Sequence, residues 1–157
     1  MENTKKFADT AQYIVISMGD EQFGIDIRYI DNIVKMQHIT RVPNVASYFK
    51  GVINLRGEVL PVMSLRLKMG LEEDVTTKNT RIIILRLEQH GMIGVIVDEV
   101  KEVLTLEESN IEKVANDGKD DKDGFVFAVG KCEDGLVSLL DLNAVALERE
   151  YLLGGYK

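Results

Sequence analysis

The side chains most disposed to nucleophilic or imidazole chemistry are His38, His90 and Cys132, the two histidines and one cysteine of a 157-residue chain. Neither histidine has an Asp, Glu, His or Cys at the helical spacing that would complete a metal site. His90 falls in an expected hairpin turn and His38 just ahead of a strand, so both read as surface histidines. Cys132, in the run Val129-Gly-Lys-Cys-Glu, occupies a place where an apolar strand residue is expected. It reads as a small buried thiol, and could be a nucleophile only beside a base brought to it by the fold. The run Asn116–Gly124 resembles a calcium loop at Asp121, Asp123 and Gly124. Its first ligand position is Lys119 and its twelfth Gly130, where a bidentate glutamate is needed, so a mobile, solvated, acidic loop is expected. No metal site, cofactor or catalytic residue is expected. The remaining candidate is Arg56, whose planar fork of five donors could clamp a carboxylate or carbonyls on another chain, or could be a solvated turn residue.

The element that positions Arg56 is a hairpin. Two apolar runs, Val52–Leu55 and Val59–Leu65, reverse around Arg56-Gly57-Glu58, with β-branched residues on both arms and a glycine available for positive φ. Pro61, inside the second arm, is expected at an edge or a bulge because it has no amide to donate. Upstream, Tyr13–Met18 and Phe23–Ile27 read as strands joined by a turn at Gly19-Asp20-Glu21-Gln22. Ile27, Ile30, Ile33 and Val34 have the spacing of one face of a short amphipathic helix or helix-like bend. Ile39–Asn44 reads as a brief extended piece ahead of the hairpin.

From Thr80 the pattern repeats. Ile82–Leu87 and Met92–Val97 read as strands around a turn at Glu88–Gly91, and Val97, Val100 and Val103 follow Ile27, Ile30 and Ile33 at an offset of 70. Gly94 follows Gly24 at the same offset, and Ala128–Asn143 overlays Gly51–Arg66 at an offset of 77. A duplication that keeps the order of strand, turn, strand, bend and hairpin implies two similar β subdomains that share apolar surface. Short strands at close spacing favour small closed or partly closed barrels. Residues 142–153, ended by Gly154-Gly155, read as a C-terminal helix.

A 45% apolar content is that of a globular domain, and a net charge of −7 without any basic patch argues against nucleic acid as partner. The N-terminus lacks a signal peptide's apolar stretch, no run reaches the roughly 20 residues that cross a bilayer, and one cysteine permits no internal disulfide. A cytoplasmic protein without direct membrane insertion is expected.

The segment Gly51-Val-Ile-Asn-Leu-Arg-Gly-Glu-Val-Leu-Pro-Val closely resembles the CheW family of bacterial chemotaxis coupling proteins. So do Phe23-Gly-Ile-Asp-Ile and Ile39-Thr-Arg-Val-Pro-Asn before it and Asp98-Glu-Val-Lys-Glu-Val-Leu and Leu139-Leu-Asp-Leu after it. The resemblance implies an all-β fold of two tandem, five-stranded SH3-like barrels with short helices. A single CheW-like domain over 13–147 would comprise intertwined subdomains of approximately 13–80 and 81–141. It implies a non-enzymatic scaffold that couples methyl-accepting chemoreceptors to the histidine kinase CheA, monomeric when isolated and recruited to membrane-bound receptor clusters. The kinase's regulatory domain would meet Ile14, Ile27 and Ile30. The receptor's cytoplasmic tip would meet Ile33, Arg56, Val100 and Val103. Asn32, Ser64 and Arg81 depart from residues usual in the family. Two alternatives stay open: a regulatory-domain-like module of a two-component kinase system with other partners, and a cysteine-dependent enzyme using Cys132. No nucleotide-binding or phosphoacceptor module is legible between Met1 and Lys157, which favours a stand-alone adaptor over a kinase fragment.

Overall fold

A computed structural model describes residues 10–114, 124–133 and 135–146. Eleven strands form two sheets. They are β1 (Thr10–Met18), β2 (Glu21–Asp26), β3 (Ile30–Lys35), β4 (Phe49–Leu55), β5 (Glu58–Ser64), β6 (Arg81–Leu87), β7 (Gly91–Val97), β8 (Glu99–Glu107), β9 (Ile111–Lys113), β10 (Val126–Cys132) and β11 (Gly135–Leu140). One sheet has the order β8-β1-β2-β11-β10-β9 and the other β3-β6-β7-β5-β4. The expected all-β, two-subdomain fold is therefore present, with a three-residue sixth strand in one sheet.

Neither sheet is drawn from one continuous half of the sequence. The chain leaves the first sheet after β2 through a 3₁₀ turn, Ile27–Tyr29, builds β3 to β7 of the second, and returns at Asp98. Both crossings are fixed by carboxylates. Asp26 caps the 3₁₀ turn by accepting from the Arg28 amide at 2.9 Å. Asp98 accepts from the Gly19 amide at 2.9 Å and from Arg66 Nε and Nη2 at 2.8 and 2.9 Å. Charged acceptors of this kind are the stronger hydrogen bonds.

Three apolar cores follow. Ile53, Leu60, Val62, Ile82, Ile84 and Ile96 fill the second sheet's own interior. Tyr13, Leu106, Ala128, Val137 and Leu139 fill the first sheet's. The largest cluster joins residues of both sheets, among them Ile16, Ile25, Ile83, Leu85, Val95 and Val97. Strand β6 is buried on both faces, Ile82 and Ile84 toward one core and Ile83 and Leu85 toward another, which explains its uninterrupted apolar run.

Helical spacing misled at two places. Ile30 and Ile33 lie in strand β3, and Val100 and Val103 in strand β8; only Ile27–Tyr29 turns, as 3₁₀. Residues three apart share a face here because each strand carries a β-bulge: Asp31 is the extra residue between Ile30↔Leu85 and Asn32↔Ile84, and Lys101 between Val15↔Glu102 and Ile16↔Val100. A bulge adds one residue, so period two reads locally as three. Pro61 also departs from expectation. Strand β5 lies between β7 and β4, and Pro61 pairs with Val52 away from the bulge at Lys50. The parallel ladder from β5 to β7 begins at Val62, so Pro61 stands just outside it.

The hairpin at Arg56 forms as expected from β4 and β5, with Leu65 starting a short helix, α1 (Leu65–Lys68), instead of ending the strand. In the segment Ile39–Asn44 only Thr40 makes a bridge, to Val52. Residues 142–146 are helical; the remainder of the expected C-terminal helix and residues 116–123 of the acidic loop lie outside the described residues.

Candidate functional site: the rim of the shared core

Strands β3 and β8 each stand at one edge of their sheet, and their apolar residues reach the shared core from outside. Ile14, Ile30, Ile33 and Val100 are half-buried and pack on that core. Ile27 is half-buried but belongs to none of the three clusters. Val103 is 53% exposed, directly opposite Ile14 across β8 and β1. On the other sheet Ile33 stands opposite Ile83. The residues expected to meet a kinase and those expected to meet a receptor are therefore neighbours within each sheet, Ile14 beside Val103 in one and Ile30 one bulge before Ile33 in the other. Partly buried apolar residues bordered by charge are what a docking surface presents before its partner arrives.

Arg56 sits at the tip of the β4–β5 hairpin with φ 53°, followed by Gly57 at φ 85°. Both central residues are left-handed, as a two-residue hairpin turn of the primed type demands. The Asn54 side chain accepts from the Gly57 amide at 3.2 Å and secures the turn. The arginine is exposed, and no hydrogen bond or ion pair engages its guanidinium among the described residues. Leu55, just before it, packs on the second sheet's own core, as does Val34. A non-glycine residue pays roughly 1 kcal/mol or more to hold this backbone conformation.

The three departures have local partners. The Asn32 side chain accepts from the Ile33 amide at 2.8 Å. Ser64 is fully buried and caps α1, its hydroxyl accepting from the Leu67 amide at 3.1 Å, so its effect is on local hydrogen bonding. Arg81 Nη1 donates to the Lys78 and Thr80 carbonyls, both at 2.8 Å.

The Asp98–Arg66 tie escaped the sequence reading. Its signal was an aspartate closing an otherwise apolar run, Met92–Val97. Burial pushes the Asp98 carboxyl up, but the Arg66 hydrogen bonds, the Gly19 amide and the Arg66 charge outweigh it and hold the group below the usual carboxylate range. Asp74 shows the opposite balance. Its carboxylate oxygens are buried without a hydrogen bond among the described residues. Burial raises it, and the nearby Ser64 hydroxyl and Lys50 charge do not reverse the shift.

Cys132 is half-buried rather than buried, packed against the first sheet's own core with its thiol 3.4 Å from the Gly135 carbonyl. Among the described residues no group of three His, Cys, Asp or Glu could hold a metal ion, and no helix is long and apolar enough to cross a membrane.

Two interlaced sheets with an apolar rim and a projecting arginine define a protein-docking scaffold. Residues 12–150 match the family model of the CheW-like domain, and the chain belongs to that family. It is 39% identical over 137 residues to the chemotaxis protein CheW of Bacillus subtilis, covering 87% of this chain and 86% of that one. It is 34% identical to that of Helicobacter pylori, covering 87% and 82%. The crystal structure of the scaffolding protein TtCheW from Thermoanaerobacter tengcongensis superposes with a TM-score of 0.78 at 31% identity, covering 86% of this chain and 91% of that one. The chain is thus a chemotaxis scaffold of the CheW type.

Proposed function

We propose that this chain couples chemoreceptors to CheA by docking both along the rim of the shared core: the kinase's regulatory domain against Ile14, Ile27 and Ile30, the receptor's cytoplasmic hairpin tip against Ile33, Val100, Val103 and Arg56. It acts without catalysis, as a monomer when isolated, and reaches the membrane only through the receptor clusters that recruit it. The observation that carries this reading is the pair of bulged edge strands, β3 and β8, whose half-buried apolar side chains border a core held in common by both sheets.

The test is a titration of the isotope-labelled chain with each partner separately, following backbone amides. Shifts centred on Ile27 and Ile30 with the regulatory domain, and on Arg56, Val100 and Val103 with the receptor tip, are expected; no shift with either at high micromolar concentration overturns the reading. Val103→Asp and Ile27→Asp are the informative variants, because Val103 is largely exposed and Ile27 lies outside the cores. Each is expected to weaken its own partner about tenfold or more while moving Tm by less than about 3 °C.

A further inference from the structure

We infer that Lys35 and Arg81 form a cationic site at the end of the β3 edge that takes an acidic side chain of the receptor hairpin. This rests on the adaptor reading above.

Lys35 and Arg81 are directly opposite each other across β3 and β6. Strand alternation places both on the face of Ile33 and Ile83, as the next rung of the same ladder. Side chains so paired have Cβ atoms about 5 Å apart, and like charges there repel. Neither forms an ion pair among the described residues; Arg28 pairs with Asp26, Lys50 with Glu73, Arg66 with Asp98 and Arg86 with Asp31, while Lys78 and Lys101 are likewise without one. In a chain of net charge −7, an uncompensated pair of cations beside an apolar docking rim is complementary to an anionic group on the partner. Arg81 commits only Nη1 to backbone carbonyls, which leaves Nη2 and Nε to receive a carboxylate.

The duplication sharpens the point. On the β8 wall, Val103 opposite Ile14 repeats Ile33 opposite Ile83, and the next rung is Thr105 opposite Gln12. That pair is neutral and closed on itself, Gln12 Nε2 lying 3.4 Å from Thr105 Oγ1. The walls are alike in their apolar rungs and differ in this one. Two strand residues advance about 7 Å and one helical turn 5.4 Å, so the acidic residue stands three or four positions from the one that meets Ile33.

The experiment compares two chemoreceptor hairpin fragments, one with a glutamate at that position and its Glu→Gln version, against the native chain and against K35A/R81Q. The native chain is expected to bind the glutamate fragment about three- to tenfold more tightly, with the difference largest at low salt and absent in K35A/R81Q. K35A alone, at an exposed side chain, should lose part of the difference with Tm unchanged, which separates charge from folding. If the native chain binds both fragments equally, the cationic site is overturned and the adaptor reading stands. If it binds neither, the adaptor reading itself fails.

Discussion

Arg56 holds a backbone conformation that glycine would hold without strain, and its guanidinium makes no hydrogen bond or ion pair among the described residues. The primed hairpin turn itself imposes that strain, and it leaves the exposed guanidinium available to a partner. R56G is therefore expected to raise Tm by about 2–4 °C while weakening receptor binding, whereas a structural arginine would lower both. Thermal denaturation and a binding titration on one preparation decide between them. The two perturbed aspartates give opposite pH signatures. Asp98 is held low, so its stabilisation is present above the unfolded carboxyl pKa near 4 and is lost as pH falls through the lower folded value. Asp98→Asn is expected to cost about 2 kcal/mol at pH 7, and the deficit to shrink below about pH 4. Asp74 is held high, so folding favours its protonated form and stability is lost as pH rises through its folded pKa. Asp74→Asn is expected to be more stable than the native chain at pH 7 and equal to it in acid. Chemical denaturation from pH 3 to 8 reads both.

At the scale of elements, the bulges do the positioning. Asp31 and Lys101 are equivalent in the two repeats, and so are Lys50 and Phe127 in the two hairpins, since each is the extra residue at the matching place in its ladder. Bulges retained at both copies of a duplication are built features, and those at Asp31 and Lys101 set which side chains of the edge strands β3 and β8 face the shared core. Asp31 is held by Arg86 at 2.8 Å. Beside the Lys50 bulge, Gly51 has φ 140°, and an added Cβ would lie 2.1 Å from the Thr40 carbonyl oxygen. Backbone on backbone cannot yield as a side-chain tip can. Gly51→Ala is expected to break the Thr40–Val52 bridge and cost about 3 kcal/mol or more, visible as lost amide protection at Thr40 and Val52.

At the scale of the whole molecule, strands 10–26 pair with strands 99–140 while strands 30–64 pair with strands 81–97. Each sheet is completed by the other half of the chain, and the largest core belongs to both. Unfolding one sheet removes strands or core from the other, so a single cooperative transition is expected, with calorimetric and van't Hoff enthalpies equal. A fragment ending at residue 80 contains β1 and β2 without β8 and β11, their partners, and is expected not to fold on its own.

The duplication, the hairpin around Arg56 and the strand-rich class were legible because turn residues, β-branched runs and a repeat at fixed offset are local properties of a chain. The same local evidence misassigned the isoleucine strip, since spacing three is common to a helix and to a bulged strand and only pairing with β6 and β1 tells them apart. It was silent on Asp98 and Arg66, thirty-two positions apart, and on the like charges of Lys35 and Arg81, which become neighbours only in register. Which half completes which sheet, and hence which apolar residues end in a core and which at its rim, was decided by tertiary structure. Burial is a property of the assembled sheets, whereas periodicity belongs to the strand alone.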